Sequence, residues 1–461
     1  MSEEGRKLHV TDFVEDTLTA HRGGILMTTK LARISEIARE NKSEKFTSLC
    51  HLLNKELLLQ SHDELASDKA TGIDKVTKEE YEENLEENIE DLIERLKKFS
   101  YRPKPVKRVY IDKGKNEKRP LGIPAYEDKI VQLGLKKVLE SIYEVDFLDC
   151  SYGFRPEKSC HDALKELNNN IENGKISYVV DADIKGYFDN INHEWLMKFI
   201  SHRIKDPNIK RLIVRFLKAG VMKEGVFSPT EKGTPQGGII SPLLANIYLH
   251  YTLDTWFVKV VEESLQGQTE IVRYADDYVC CFQKKKEAYK FYEVLQKRLA
   301  KFGLELAEEK SEIVGFGRFA EERIKKKNVD RSKPETFNFL GFTHYCSNSR
   351  YGKFRVKRRT SKKKYNEKIN KFKEWIKQVR NKLPKYEIMK KVRKKLTGHY
   401  RYYGITDNIK MLKKYKTQIE KLIIKWLNNR SQKKSFNLKE FYKYLKLYPL
   451  PKPRIYVNIY N

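Results

Sequence analysis

The stretch IVRYADDYVCCF, residues 271–282, places two adjacent aspartates between two apolar halves. Each half has the composition of a buried strand, and the acidic pair stands where a turn would join them. The sequence therefore predicts a β-hairpin with Asp276 and Asp277 at its turn. A second strand-like run, SYVVDADI at 177–184, contains Asp183 near its end, and helical sequence separates the two runs. This mixture predicts an α+β protein with an antiparallel sheet flanked by helices.

These three aspartates are costly to place in a sheet unless a cation compensates them. Aspartate is disfavoured in strands, and Asp183 stands where the period-two alternation would otherwise continue. Asp276 and Asp277 are adjacent like charges beside an apolar strand. Three carboxylates brought together by adjacent strands suit two Mg²⁺ ions and phosphoryl transfer. An Asp-Asp pair alone is usually a solvated turn, so the prediction depends on all three residues.

Positive charge is concentrated in the last quarter of the chain. The whole sequence has 93 basic and 63 acidic side chains. Residues 351–461 contain 35 Lys and Arg against 6 Asp and Glu, whereas residues 1–350 contain 58 against 57. With Tyr, Trp and Phe interleaved, such a surplus indicates binding to RNA or DNA. The alternative is a lysine-rich surface that only keeps the protein soluble, but this would not explain the asymmetry.

The composition also excludes several classes of protein. No apolar run approaches the roughly 20 residues of a membrane helix, and the start, MSEEGRKLHV, lacks the apolar core of a secretory signal, so we expect a cytoplasmic protein without a membrane partner. The six cysteines form no C-x-x-C pair. We therefore expect reduced thiols and no zinc site.

The N-terminal part of the chain predicts helices followed by a hairpin. Residues 28–66 have helical periodicity, and Thr77 with Glu80 forms a capping box that begins a helix through about Phe99. Residues 101–124 alternate on either side of a polar turn, which predicts a β-hairpin with basic edges. Beyond residue 351 helical spacing predicts a small bundle with a charged outer surface.

The ordered motifs of the chain resemble those of group II intron-encoded reverse transcriptases and maturases. They are RPLGIP (119–124), YGFRP (152–156), DADIKGYFD (181–189), GTPQGGIISPLLANIYL (233–249), YADD (274–277), GLELAEEKS (303–311), FNFLGF (337–342) and GHYRYYGI (398–405). The resemblance implies a right-hand polymerase with a helical N-terminal extension (1–66), fingers and palm (67–350) and an all-α basic thumb or maturase X domain (351–430). A short basic tail (431–461) follows, either DNA-binding or simply disordered.

The resemblance also implies the metal ligands of the polymerase. Asp183, Asp276 and Asp277 would hold two Mg²⁺ ions, for which Mn²⁺ can substitute, and the backbone carbonyl of Ile184 would complete one site. The neighbouring Asp181 and Asp189 are rivals for this role, and the spacing to Phe188 favours Asp183. Lys310 would protonate the departing pyrophosphate, although a surface lysine is an equal alternative.

Further residues would bind the deoxynucleotide by the same resemblance. Phe188 is similar to the bulky gate that excludes a 2′-hydroxyl. Lys107, Lys113 and Arg119 resemble the fingers residues that grip the triphosphate, the alternative being a solvated hairpin edge. Gln236, in the loop GTPQGG, would lie along the nucleotide, the alternative being a simple turn.

The segment GHYRYYGI would contact RNA in the thumb. Its residues Arg401, Tyr402 and Tyr403 suit stacking and phosphate contacts, while packing of two of its tyrosines in the core is an equal alternative.

The resulting hypothesis is an RNA-directed DNA polymerase of a group II intron. Its partners would be an RNA template, a DNA primer, dNTPs, structured intron RNA and target DNA. Because the sequence ends without paired zinc-binding cysteines, no HNH endonuclease domain is expected. The alternatives are an RNA-binding splicing factor without polymerase activity, and a domesticated reverse transcriptase in phage defence or DNA repair.

Overall fold

The structure is a computed structural model that describes residues 29–114, 117–235, 237–326, 333–430 and 436–460. The part of the predicted N-terminal extension before residue 29 lies outside these residues. The chain divides into two compact units. Unit 1 comprises Met1–Asp149, Lys185–Trp256 and Lys297–Glu305, and unit 2 comprises Cys150–Ile184, Phe257–Gln296 and Leu306–Asn461.

The described residues form both helices and strands. The helices are α1 (29–40), α2 (Lys55–Glu64), α3 (Lys78–Glu82), α4 (Leu85–Lys97), α5 (Tyr126–Asp146), α6 (Cys160–Asn173), α7 (Tyr187–Asn190), α8 (His193–Ile200), α9 (Pro207–Leu217), α10 (Ser241–Leu249), α11 (Glu262–Ser264), α12 (Lys285–Lys301), α13 (Ala320–Lys326), α14 (Lys362–Val379), α15 (Lys385–Tyr403), α16 (Ile409–Asn428) and α17 (Leu438–Leu447). The strands are β1 (Val106–Gly114), β2 (Glu117–Ile123), β3 (Tyr178–Ala182), β4 (Val221–Lys223), β5 (Val226–Ser228), β6 (Thr269–Tyr274), β7 (Asp277–Phe282), β8 (Glu312–Gly315), β9 (Thr336–Phe339), β10 (Phe342–Asn348) and β11 (Phe354–Thr360).

Unit 1 contains the hairpin predicted over residues 101–124. Strands β1 and β2 pair antiparallel, with Lys107 opposite Ile123 and Ile111 opposite Arg119, which confirms the prediction. Strand β4 adds to β1 in parallel, and β5 forms the other edge of this four-stranded sheet. The basic hairpin is thus anchored in a sheet rather than isolated.

The helical stretch predicted over residues 28–66 is interrupted between α1 and α2. There Phe46 forms a β-bridge with Ile204. The carboxylate of Asp206 accepts hydrogen bonds from the backbone amides of Leu49 and Cys50. The side chain of Asn54 then caps α2. These long-range contacts override the local periodicity.

The helix predicted from Thr77 to about Phe99 is also divided. The capping box of Thr77 and Glu80 is present at the start of α3. Asn84, with φ −128° and ψ 42°, leaves the helical conformation before α4 begins. The predicted start of the helix at Thr77 is therefore confirmed. The prediction of one continuous helix to Phe99 is wrong.

Unit 2 is built on a central antiparallel sheet in the order β6-β7-β3-β8. Tyr274 pairs with Asp277, which confirms a turn at the two adjacent aspartates. After Asp277, strand β7 has no charged residue, and its side chains from Tyr278 to Phe282 are all fully buried. Strand β3 lies beside β7 with Ala182 opposite Tyr278, so the end of β3 reaches the same hairpin turn.

A second sheet of unit 2 has the order β11-β10-β9. The prediction of an all-α segment from residue 351 is wrong at its start, since Phe354–Thr360 form β11. Val356, Arg358 and Thr360 alternate toward the interior, and Arg358 is fully buried. A strand whose buried positions include an arginine does not show the usual apolar alternation, which explains why the pattern was missed.

Helices α14 to α17 follow this second sheet and are amphipathic, as their spacing predicts. Their buried positions include Phe372, Ile376, Leu412, Ile419 and Ile423. The end of the chain also belongs to unit 2, because Val457 forms a β-bridge with Ile405. Whether the predicted tail from residue 431 binds DNA stays a prediction. Within the described residues, no helix has both the length and the apolar character required to cross a bilayer.

Candidate active site

A buried arginine holds the hairpin turn that carries the two adjacent aspartates. Arg273, at the end of β6, is fully buried, and its guanidinium donates to the carbonyl of Ala275 at 2.9 Å and to the hydroxyl of Ser151 at 2.6 Å. Ala275 has a positive φ of 59°, a conformation that costs energy for an L side chain. The arginine therefore stabilises a strained turn and fixes where Asp276 and Asp277 emerge.

The glycine of the motif YGFRP packs directly on this turn. A Cβ atom added to Gly153 would lie 2.2 Å from the backbone nitrogen of Ala275. The backbone amide of Tyr152 donates to the carbonyl of Arg273 at 2.8 Å. The motif thus packs against the acidic turn and stabilises it. Sequence reasoning quoted it without finding this role, and it missed Arg273 altogether.

Asp183 is held between β7 and the segment before β8. Its backbone amide donates to the hydroxyl of Ser311 at 3.2 Å, and its carbonyl accepts from the amide of Ala307 at 2.8 Å. Ile184 forms a β-bridge with Leu306. These contacts extend β3 past Ala182 on the side of β8. On its other side, the β3–β7 register pairs Ala182 with Tyr278, so the next position along β3 places Asp183 beside Asp277.

The carboxylates of this site are electrostatically coupled. The pKa of Asp277 is raised to about 7, first because protein atoms surround its carboxyl and then because Asp276 and Asp183 repel its charge. Its side chain is nevertheless reachable by solvent, because it lies at the end of an open groove. Burial, followed by the charges of Asp277, Glu312 and Asp183, raises the pKa of Asp181 to about 8. Such crowding is relieved when a cation binds.

Lys310 lies at the same site, as the resemblance implies. Its ammonium is 3.3 Å from the Asp183 carboxylate. Among the described residues, no three acidic, histidine or cysteine side chains already converge as a metal cage. The oxygen donors of Asp183, Asp276, Asp277 and the Ile184 carbonyl fit a hard divalent cation by their chemistry and mutual repulsion.

The predicted triphosphate-binding residues belong to unit 1. Lys107 and Ile111 are four positions apart on β1, and Arg119 lies opposite Ile111. The side chains of Lys107 and Arg119 therefore leave the same face of the hairpin, with their Cα atoms roughly 14 Å apart. Arg119 is exposed and Lys107 is half-buried. The side chain of Lys113 lies outside the described residues.

Phe188 and the GTPQGG loop also belong to unit 1. Phe188 is 8% exposed and lies on the short helix α7, which begins after Gly186 in the left-handed conformation, φ 54°. The carbonyl of Phe188 accepts a hydrogen bond of 2.8 Å from the amide of Thr234. A Cβ on Gly233 would lie 2.8 Å from the Asp189 carbonyl oxygen, so this loop needs its glycine for close packing. Gln236 lies outside the described residues.

A groove of about 670 Å³ opens beside Asp277 in unit 2, and we call it the α14–α15 groove. Its walls are the two helices, and Tyr415 of α16 also lines it. It includes four lysines, namely Lys364, Lys368, Lys371 and Lys395. The groove thus combines an acidic end with cationic walls, which suits a phosphodiester strand that leads to the carboxylates.

The tyrosines of GHYRYYGI serve the packing of unit 2. Tyr403 is 4% exposed and its ring lies 5.3 Å from that of Phe342. The hydroxyl of Tyr402 donates to the carbonyl of Leu340 at 3.0 Å. Both residues also line the α14–α15 groove, whereas Arg401 is exposed. Packing within unit 2 thus accounts for most contacts of Tyr402 and Tyr403. Contact of this segment with RNA stays a prediction.

Comparisons with known proteins agree with this geometry. Residues 103–344 match the family described as reverse transcriptase (RNA-dependent DNA polymerase). The chain is 43% identical over 222 residues to the group II intron-encoded protein LtrA of Lactococcus lactis subsp. cremoris, a match that covers 48% of this chain and 37% of that protein. It is 32% identical over 317 residues to protein YkfC of Escherichia coli K12, covering 62% of this chain and 78% of YkfC. Nuclear intron maturase 4 of Arabidopsis thaliana is 30% identical over 134 residues, 29% of this chain and 16% of that protein. The chain thus spans little more than a third of the length of LtrA.

Proposed function

Because this chain belongs to the reverse transcriptase family, we propose that it is an RNA-directed DNA polymerase that extends a DNA primer along an RNA template. The observation that carries this proposal is the strand pairing, in which the end of β3, next to Asp183, reaches the hairpin turn of Asp276 and Asp277. The raised pKa of Asp277 supports it, because crowded carboxylates favour a bound cation.

The proposed cofactor is a pair of Mg²⁺ ions, which Mn²⁺ could replace. Asp183, Asp276 and Asp277 would hold them, with the backbone carbonyl of Ile184. When bound, the ions would activate the primer hydroxyl and stabilise the negative charge on the leaving pyrophosphate. Arg273 keeps the acidic turn in place, and Lys310 lies close enough to the site to offer a proton or a compensating charge.

The nucleotide would be a deoxynucleoside triphosphate held by unit 1. Lys107 and Arg119 share one face of the β1–β2 hairpin, which allows both to contact one polyphosphate. Burial holds the side chain of Phe188, and the hydrogen bond from the amide of Thr234 to its carbonyl holds its backbone. A bulky side chain held this firmly can reject a 2′-hydroxyl by steric exclusion. The roles proposed for Lys113 and Gln236 rest on the resemblance alone.

The primer–template would lie in the α14–α15 groove. Lys364, Lys368 and Lys371 of α14 follow helical spacing along one wall, and Lys395 contributes from the other. Each can neutralise a phosphate, so binding should weaken steeply as salt rises.

We further propose that the protein binds the RNA of a group II intron and assists its splicing and mobility, including insertion at a DNA target. The support is the concentration of positive charge after residue 351, together with the names of relatives that introns encode or that act as maturases. An intron-free role in defence or repair stays an alternative, and the presence of a catalytic intron RNA around the gene would decide between them.

The polymerase is tested by extension of a DNA primer annealed to an RNA template, with dNTPs and Mg²⁺. The wild type should make full-length cDNA. Asp183→Ala and Asp276→Ala should make none while keeping the melting temperature of a folded protein, and Asp189→Asn should retain activity as the control carboxylate. No extension by the wild type, despite tight RNA binding, would favour a splicing factor without polymerase activity.

The groove is tested by a matched pair of substitutions on α14. Lys368 and Lys363 are both exposed, but only Lys368 lines the groove. Lys368→Ala should weaken binding of the primer–template severalfold, and Lys363→Ala should have a much smaller effect. Equal losses would mean that the helix acts only through its net charge.

A further inference from the structure

Gly398 stands in the middle of α15, where a glycine is unexpected. Glycine is the poorest helix former after proline, because it loses the most backbone freedom on folding. Most other described glycines have a visible reason for lacking a side chain. For example, a Cβ on Gly404 would lie 2.2 Å from the carbonyl oxygen of Tyr400. A Cβ on Gly398 would meet no heavy atom within 4 Å, so the fold itself does not require this glycine.

The open space at Gly398 is the α14–α15 groove. Lys395, His399 and Tyr402 line the groove together with Gly398, and their spacing of three, four and seven residues places them on one face of α15. The opposite wall carries Lys364, Lys368 and Lys371. Gly398 therefore leaves bare backbone on a cationic wall, between side chains that project.

The side chains beside Gly398 are fixed, so the wall cannot retreat. His399 stacks face to face on Tyr415 with ring centroids 3.7 Å apart and an interplanar angle of 11°. Its ring also lies 4.7 Å from that of Tyr403. The hydroxyl of Tyr402 is tied to the carbonyl of Leu340. Any atom added at Gly398 would therefore project into the groove.

We propose that Gly398 is the point of closest approach between α15 and the sugar-phosphate backbone of the bound primer–template duplex. The proposal rests on the proposed polymerase function and adds a specific contact to it. Charge complementarity favours a nucleic-acid occupant, because the four lysines outnumber the groove's acidic residues, Asp277 and Glu367. Glycine at such a position lets a strand lie against the helix backbone itself.

This role makes stability and binding respond in opposite directions. Gly398→Ala should raise the melting temperature, because alanine favours the helix and meets open space. The same methyl group should weaken primer–template binding, by about tenfold if it displaces the strand from the wall. Gly398→Leu should weaken binding further. A glycine retained for folding alone would show no such opposition.

The experiment measures fluorescence anisotropy of a labelled DNA primer on an RNA template with full-length protein in EDTA, alongside thermal melting. The control is Asn370→Ala, which also improves helix propensity on exposed α14 but lies off the groove. We expect the control to melt no lower than wild type and to bind equally well.

Each outcome decides one question. If Gly398→Ala binds primer–template with wild-type affinity, the proposed close approach is wrong. If Gly398→Ala melts below the wild type, the fold itself requires the glycine, and the proposal is wrong as well. Absence of binding by wild type would instead refute the proposed function, so the two failures are distinguishable.

Discussion

Replacing Glu367 with glutamine should make this protein bind nucleic acid more tightly. Glu367 lines the α14–α15 groove and pairs with two of its lysines, Lys371 at 2.9 Å and Lys364 at 3.3 Å. The hydrogen bond from Lys371, followed by the charge and hydrogen bond of Lys364, outweighs the effect of burial and lowers the pKa of Glu367. The carboxylate is therefore ionised at neutral pH and competes with phosphates for both ammonium groups.

The size of the effect follows from the number of lysines released. Each additional phosphate neutralised on a duplex steepens the dependence of log K on log[salt] by about 0.9. Two released lysines would therefore steepen the slope by up to about 1.8. Over a fourfold change in salt, a slope change of 1.8 corresponds to roughly a tenfold change in affinity. The gain should be greatest at low salt, since all three side chains are partly exposed and screened.

The assay is anisotropy of a labelled primer–template at four or five KCl concentrations between about 50 and 200 mM, the range over which such slopes are measured. Glu374→Gln is the matched control, because Glu374 pairs with Lys377 on the same helix and does not line the groove. If both substitutions raise affinity equally, only net charge matters. If Glu367→Gln leaves the slope and the affinity unchanged, its lysine partners do not contact the ligand and the reasoning fails.

Three other predictions concern the pH dependence, the packing and the substrate choice of the protein. Burial, and then the charge of Arg358, lowers the pKa of His344 to about 3. An unfolded histidine binds its proton near pH 6.5, so the contribution of His344 to the unfolding free energy should fall as pH drops below that value, by about 2 kcal/mol at pH 5. His344→Phe should remove this loss in denaturant unfolding at pH 7 and pH 5, and an unchanged pH dependence would contradict it. Glu172 is 7% exposed and accepts hydrogen bonds from Arg355 at 2.7 Å and from the amide of Val356 at 2.6 Å. Glu172→Ala should lower the unfolding free energy by about 3 kcal/mol, whereas a loss below about 0.5 kcal/mol, typical of surface positions, would show that water replaces the carboxylate. Phe188→Ala should raise ribonucleotide incorporation relative to deoxynucleotide by about tenfold or more, measured by single-nucleotide extension, and unchanged selectivity would remove Phe188 as the gate.

The sequence was most informative where chemistry and periodicity agree. The hairpin at Asp276 and Asp277 is confirmed because two apolar halves around an acidic pair leave one arrangement that buries the former and exposes the latter. The basic hairpin over residues 101–124 is confirmed for a related reason, since alternation and a polar turn specify its register. The placement of Asp183 beside them required a long-range pairing, which was supplied by the resemblance and agrees with the β3–β7 register.

What the sequence did not predict depends on burial of polar groups and on distant contacts. Arg273 and Arg358 are fully buried arginines, and a reading of hydropathy assigns such residues to the surface. The role of Gly153 depends on a backbone more than a hundred positions away. The open space at Gly398 has no local signal at all, because a helical glycine reads only as a weak point in the pattern. These features are visible only in the three-dimensional structure.

The order of the central sheet also has a consequence for the timing of synthesis. Strand β3 ends at Ala182, but its neighbour β8 begins only at Glu312. A ribosome adds roughly 5 to 20 residues per second, so β3 waits on the order of 10 s for this partner after it has been translated. During this interval at least one edge of β3 is unpaired, which exposes the strand to aggregation. We therefore expect the yield of soluble protein to depend on translation speed and on chaperones that shield the nascent chain.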